Sequence, residues 1–112
     1  MAKLNLLKSR EDFSRFRNSR SYQTSALRIR IVSSVNQNIP RFGFIVPKKV
    51  LPKASERNII KRRLKSILSK SQTKFRAVDL LFFPQKSLLK KKFIDLETET
   101  LNLIKRAGIW KS

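Results

Sequence analysis

Cysteine and histidine are both missing from the 112 residues, and glycine occurs only as Gly43 and Gly108. Without cysteine there is no disulfide framework and no thiolate metal site. A protein-only hydrolase would also lack the side chains that most often serve as general base or soft metal ligand. Two distant glycines cannot build a Gly-rich phosphate loop. Acid is scarce as well. The seven carboxylates are Glu11, Asp12, Glu56, Asp79, Asp95, Glu97 and Glu99, and most stand singly. Asp95, Glu97 and Glu99 follow one another at i, i+2, a spacing that points neighbours apart on a helix and fits a solvated face. Glu11 and Asp12 read as helix-start charges that favour the positive end of the dipole. No apolar run is long enough to span a bilayer, and the start M-A-K-L-N-L-L-K-S-R is too short in apolar residues for a signal peptide. A cytoplasmic protein is expected, with no membrane partner and no small-molecule substrate.

What is abundant is positive charge. Twenty-seven Lys and Arg against seven Asp and Glu leave a net charge of +20. Self-repulsion on that scale opposes compaction and calls for a polyanionic partner, of which nucleic acid is the default. The basic residues run from Lys3 to Lys111, so this is not a neutral domain with a basic tail. A hydrophobic content of 40% argues against wholesale disorder and suits one domain, residues 1–112, with one modest core.

The pattern along the chain predicts an α-β-β-α-β-α order. Ser9 opens S-R-E-D, a capping-box-like start, and the helix runs to about Asn18 with Phe13 and Phe16 turned to one side. The stretch N-S-R-S-Y-Q-T-S reads as a loop. Leu27 to Val32 alternates, placing Leu27, Ile29 and Ile31 on one face of a strand and Arg28 and Arg30 on the other. A polar turn from Ser33 to Pro40 leads to a second strand, Phe42 to Val46, expected antiparallel to the first because the connection is short. Ser55 is the expected N-cap of a helix to about Ser71, with Ile60, Leu64, Ile67 and Leu68 as its apolar stripe. Val78 to Phe83 fits a buried central strand, parallel to a neighbour after the helical crossover. A last helix spans roughly Leu88 to Ala107, with Leu96, Leu103, Ile104 and Ala107 inward and Gly108 as its C-cap. The sum is an α+β sandwich of helices on a small sheet. The one low-complexity tract is Lys90-Lys91-Lys92.

The most informative segment is Arg41 to Leu64, R-F-G-F-I-V-P-K-K-V-L-P-K-A-S-E-R-N-I-I-K-R-R-L. A strand runs into Lys48 and Lys49, the first turns of the following helix carry Arg57, Asn58, Lys61, Arg62 and Arg63, and Asn58, Lys61, Arg62 and Lys65 fall on a flank away from its apolar stripe. A charge run is often only a solvated face. Here the charges are nearly all of one sign, Asn58 sits among them, and the strand end adds two lysines. Asn and Arg side chains hydrogen-bond phosphate and sugar as well as neutralise them. Phe13 and Phe16 admit two readings, core residues or platforms on which single-stranded RNA stacks.

These residues resemble the bacterial ribonuclease P protein component. That family's signature is an R-x-G strand, a lysine pair, and R-N-x-x-K-R on a helix. E-D-F-S-R-F upstream and V-D-L-L-F-F downstream fall in the family's order and spacing, so the likeness covers nearly the whole chain. The resemblance implies a ribosomal-protein-like fold with a left-handed βαβ crossover, against the general handedness rule. It implies a protein that binds a large catalytic RNA, and with it removes the 5′ leader of precursor tRNA. The RNA then performs the chemistry with Mg²⁺, and the protein contributes no catalytic side chain and no metal ligand. Lys48, Lys49, Arg57, Asn58, Lys61, Arg62 and Lys65 become the RNA-binding set, and Phe13, Phe16, Arg28 and Arg30 the candidates for a leader cleft. Departures from the family pattern are Ile59 in place of an arginine, Leu51-Pro52 in place of a single glycine, and Arg17 where a second aromatic is usual. Arg28 and Arg30 also occupy a strand that often carries an aromatic.

Two other classes share the charge and size. A ribosomal or general RNA-binding protein does not require the R-N-x-x-K-R helix beside a lysine-ended strand. A DNA-binding architectural protein usually presents its recognition helix from a helical domain, whereas this chain predicts a sheet.

Overall fold

The run V-D-L-L-F-F-P becomes the strand around which the rest is assembled. In a computed structural model, which describes residues 4–7, 10–33, 39–71 and 74–110, it forms β4 (Val78–Pro84) at the interior of a four-stranded sheet. The other strands are β1 (Arg20–Gln23), β2 (Leu27–Ser33) and β3 (Arg41–Phe44), in the order β1-β2-β4-β3. β2 runs antiparallel to β4 with Leu27 opposite Pro84 and Ser33 opposite Val78. β3 runs parallel to β4, Arg41 opposite Asp79 and Phe44 opposite Phe82. The helices are α1 (Arg10–Ser14), continued by a 3₁₀ turn Arg15–Asn18, then α2 (Ala54–Ser71) and α3 (Phe93–Arg106). The crossover from β3 to β4 is made by α2.

Alternation along the strands sorts the two faces. Leu27, Ile29, Ile31, Phe42, Leu80 and Phe82 point to the side where α2 and α3 pack, and there they join the main core. On α2 the buried residues are Ile60, Leu64, Ile67 and Leu68, the stripe that the periodicity predicts. On α3 they are Leu96, Thr100, Leu103 and Ile104, with Ala107 following. Leu81 lies on the opposite face, where Leu7 and Phe16 close a smaller cluster beneath α1, with Phe13, Val32, Ile45 and Phe83 packed against it. No helix among the described residues is long and apolar enough to cross a membrane.

Several expectations are corrected. The polar stretch read as a loop contains β1, an edge strand whose residues are mostly exposed and therefore show no apolar alternation. β2 and β3 do run in opposite directions, but they are not neighbours, because β4 inserts between them. A short connection fixes direction here without fixing adjacency. β3 ends at Phe44, although the Ile45 N–H still donates to the Phe82 carbonyl at 2.9 Å. Ser55 lies inside the first turn of α2, which begins at Ala54. The last helix starts at Phe93, and Lys86–Lys90 form a separate 3₁₀ turn. Gly108 does occupy the left-handed position after α3, with φ of 75°. Ser9, the Asp12 side chain and residues 34–38 lie outside the described set.

Candidate nucleic-acid interface

The R-F-G motif sets the spacing between α1 and the sheet. Arg41 and Gly43 are two apart on β3 and face α1, while Phe42 between them is fully buried in the main core. A Cβ at Gly43 would stand 3.0 Å from a Leu7 methyl, 3.0 Å from a Leu81 methyl and 3.2 Å from the Phe13 ring. Glycine is what lets those side chains close over the strand. Arg41 donates through Nε and Nη2 to Asp79 at 3.1 and 2.8 Å, and Arg15 donates to the same carboxylate at 2.6 Å. A further Arg15 nitrogen donates to the Ser33 carbonyl. Asp79 is fully buried, so one carboxylate ties the end of α1 to β3 and β4.

The ring of Phe83 stands on the same outer face, with two guanidiniums over it: Arg28 at 5.4 Å and Arg30 at 6.0 Å from its centroid. Arg30 also donates to the Phe16 carbonyl at 3.3 Å. The Nε atoms of both arginines are buried and have no hydrogen-bond partner among the described residues. Beside them lies an open hollow of about 320 Å³ lined by Phe13, Phe16, Arg17, Arg30, Leu81 and Phe83, with Ser14 at its rim. Phe13 is half-buried, whereas Phe16 is only 3% exposed. Phe16 is thus a core residue that also lines the hollow, while Phe13, Arg28 and Arg30 keep more of their surface open. Phe83 belongs with them, although a continuous apolar run gives no sign of which residues leave the core face. The pairing of Arg28 with Phe83 across β2 and β4 supplies that sign only once the register is known.

On the other side of the sheet, α2 presents Asn58, Arg62 and Lys65 to solvent, with Lys61 half-buried among them. These positions are related by i, i+3 and i, i+4 spacing and form one flank. The Lys65 ammonium lies 6.0 Å from the Phe44 ring, which stacks on Phe82 at 5.4 Å. Arg57 turns back toward the β3–α2 loop and donates to the carbonyls of Leu51 and Pro52 at 2.7 and 2.8 Å. It braces the loop that carries Lys48 and Lys49, both of which are exposed. That loop is closed by the Val50 and Leu51 N–H groups donating to the Pro47 carbonyl at 3.0 Å. Leu51 is 1% exposed, so its side chain anchors the turn in the core. Ile59 is an apolar residue open to solvent in the middle of the motif.

The remaining acids are dispersed. Glu99 accepts from Thr24 at 2.8 Å and pairs with Lys91 at 3.3 Å, and Glu97 faces Lys70 at 3.9 Å. Among the described residues no three acidic side chains gather into a metal site.

Fold and surface together define a small basic α+β protein with a cationic helix flank on one side of its sheet and an arginine–aromatic hollow on the other. A family model described as Ribonuclease P matches residues 1–108. The chain belongs to that family. A ribonuclease P protein component of Clostridium botulinum (strain 657 / Type Ba4) is 35% identical over 97 residues, which are 85% of this chain and 86% of the relative. The RNase P protein of Staphylococcus aureus superposes with a TM-score of 0.86 at 19% identity, covering 97% of this chain and 100% of the other. The RNase P protein from Thermotoga maritima gives 0.80 at 25% identity, covering 91% and 96%.

Proposed function

We propose that this chain is the protein subunit of ribonuclease P, that it binds the catalytic RNA through the α2 flank and the strand-end lysines, and that it holds the 5′ leader of precursor tRNA in the hollow beside Phe13. The observation that carries the reading is the placement of two unlike surfaces on opposite faces of one sheet. The α2 flank offers Asn58, Lys61, Arg62 and Lys65, with Lys48 and Lys49 beyond its start. Such groups neutralise and hydrogen-bond phosphates, which positions an RNA without reading its sequence. The hollow offers a half-buried ring at Phe13 and two arginine planes over Phe83. An unpaired strand is held by that combination, since bases stack on rings and guanidiniums while the backbone meets positive charge.

Among the described residues no acidic cluster offers a metal site, and we assign the Mg²⁺ that assists leader removal to the RNA and the substrate. The protein's part is to orient. It fixes the leader beside the RNA and lowers the repulsion between two polyanions, which reduces the metal concentration the complex needs. The test is reconstitution. Purified protein added to a bacterial ribonuclease P RNA should restore cleavage of precursor tRNA at low Mg²⁺, releasing the leader and leaving a 5′-phosphate. Cleavage no better than that of the RNA alone, or cleavage by nuclease-free protein without RNA, would defeat the reading.

A further inference from the structure

The lysines at the end of β4 are not part of the motif, yet the topology brings them to it. β3 and β4 are parallel and in register at Phe44 and Phe82, so the segments that follow each strand leave the same end of the sheet. The β3 exit leads through Lys48, Lys49 and Lys53 into the start of α2. The β4 exit leads directly into the 3₁₀ turn Lys86–Lys90 and the tract Lys90 to Lys92. That turn is pinned. Leu88 is fully buried, the turn packs on α2, the Gln85 N–H donates to the Ala26 carbonyl at 2.9 Å, and the Ser87 hydroxyl donates to the Ser25 carbonyl at 3.1 Å. With Leu88 facing inward, Lys86 and Lys90 project from the outer sides of the turn, and both are exposed, as is Lys92.

Fold stability does not account for these charges. Lys91 has a structural role, since it pairs with Glu99. Lys86, Lys90 and Lys92 make no ion pair among the described residues. Lys92 is moreover the N-cap of α3, where a positive charge opposes the helix dipole. Two lysines on the pinned turn and a third at the start of α3, with three more on the neighbouring loop, concentrate positive potential at one end of the sheet.

We propose that Lys86, Lys90 and Lys92 form a second phosphate-contacting surface that continues the α2 flank around the sheet end and grips the backbone of the same catalytic RNA. This inference rests on the function proposed above and adds residues to it that lie outside the R-N-x-x-K-R signature. The catalytic RNA is favoured over the leader because the surface adjoins the start of α2, whereas the hollow opens on the other face of the sheet.

The test is the salt dependence of binding to an in vitro transcribed bacterial ribonuclease P RNA. Each lost phosphate contact lowers the log–log salt slope by about 0.7 to 0.9. The triple variant Lys86→Gln/Lys90→Gln/Lys92→Gln should lower the slope by about 2 to 3 and unfold in urea at or above the wild-type midpoint, because none of the three packs in the core and Lys92 opposes the α3 dipole. A charge-loss control, Lys74→Gln/Lys105→Gln, removes two lysines near Trp110 at the far end of β4 and should leave the slope near wild type. A wild-type slope in the triple variant, or an equal per-lysine loss in the control, overturns the inference. If Lys61→Ala/Arg62→Ala binds weakly while the triple variant binds normally, the inference fails and the proposed function stands. Wild-type protein that does not bind the RNA overturns both. The same triple variant in the holoenzyme should discriminate precursor from mature tRNA as wild type does. Loss of that discrimination would place the lysines on the substrate and overturn the assignment to the catalytic RNA.

Discussion

Phe13 and Phe16 lie three residues apart on one helical segment, yet truncating each should have a different effect. Phe16 is part of the apolar cluster with Leu7 and Leu81, so Phe16→Ala should cost about 3–5 kcal/mol of stability in urea unfolding. Phe13 keeps part of its ring at the hollow. Phe13→Ala should weaken binding of precursor tRNA by about 1–3 kcal/mol in the reconstituted complex while mature tRNA binding stays nearly unchanged. A large stability loss with unchanged discrimination would show that Phe13 is core as well. Asp79 gives a second contrast. It is the shared partner of Arg15 and Arg41, and Asp79→Asn removes the charge that compensates both. The expected loss is about 3 kcal/mol, the low end for a broken buried pair, because Arg15 remains 30% exposed and can turn to water. Thermal unfolding at fixed salt would measure it, and a loss below about 1 kcal/mol would mean that the arginines hold α1 without their acid.

At the level of elements, what was legible in the sequence follows how locally each element is determined. α2 could be read to Ser71 at its end and to within two residues at its start, because its apolar stripe and its basic flank lie within the helix itself. β2 could be read face by face, since Leu27, Ile29 and Ile31 alternate with arginines. β1 could not, because an exposed edge strand has no buried face to imprint on its sequence. The insertion of β4 between β2 and β3 was equally hidden. Strand adjacency is a non-local choice, and the short β2–β3 connection favours the wrong neighbour. The site divides in the same way. The α2 flank was visible as a charge pattern, whereas the bracing role of Arg57, the placement of Phe83 and the burial of Phe16 each depend on contacts with distant segments. For α2 the expectation is direct. Lys61→Ala and Arg62→Ala should each weaken RNA binding to a similar degree across sequences and lower the salt slope by about 0.7 to 0.9. Equal slopes for both variants and wild type would identify the flank as merely solvated.

For the whole molecule, the imbalance of 27 basic against 7 acidic residues makes folding and binding respond to salt with opposite signs. Raising ionic strength from roughly 0.01 M to 0.1 M shortens the Debye length from about 30 to about 10 Å and screens self-repulsion. The free protein should therefore melt at a higher temperature in the higher salt, while its affinity for RNA falls over the same range. A melting temperature that drops with added salt would mean that ion pairs outweigh repulsion in the free fold. The sheet has two outer edges, and they are protected differently. β1 is short and presents Arg20, Ser21 and Gln23 to solvent, which discourages pairing with another chain. β3 is covered by the N-terminal segment instead: the Leu7 N–H donates to the Phe42 carbonyl at 2.8 Å, and the Phe42 N–H donates to the Asn5 carbonyl at 2.9 Å. That segment is in effect a removable fifth strand. Deleting the first seven residues should leave β3 with an open ladder next to a hydrophobic core, and on gel filtration the shortened protein should form more edge-to-edge dimers or aggregates than the full chain.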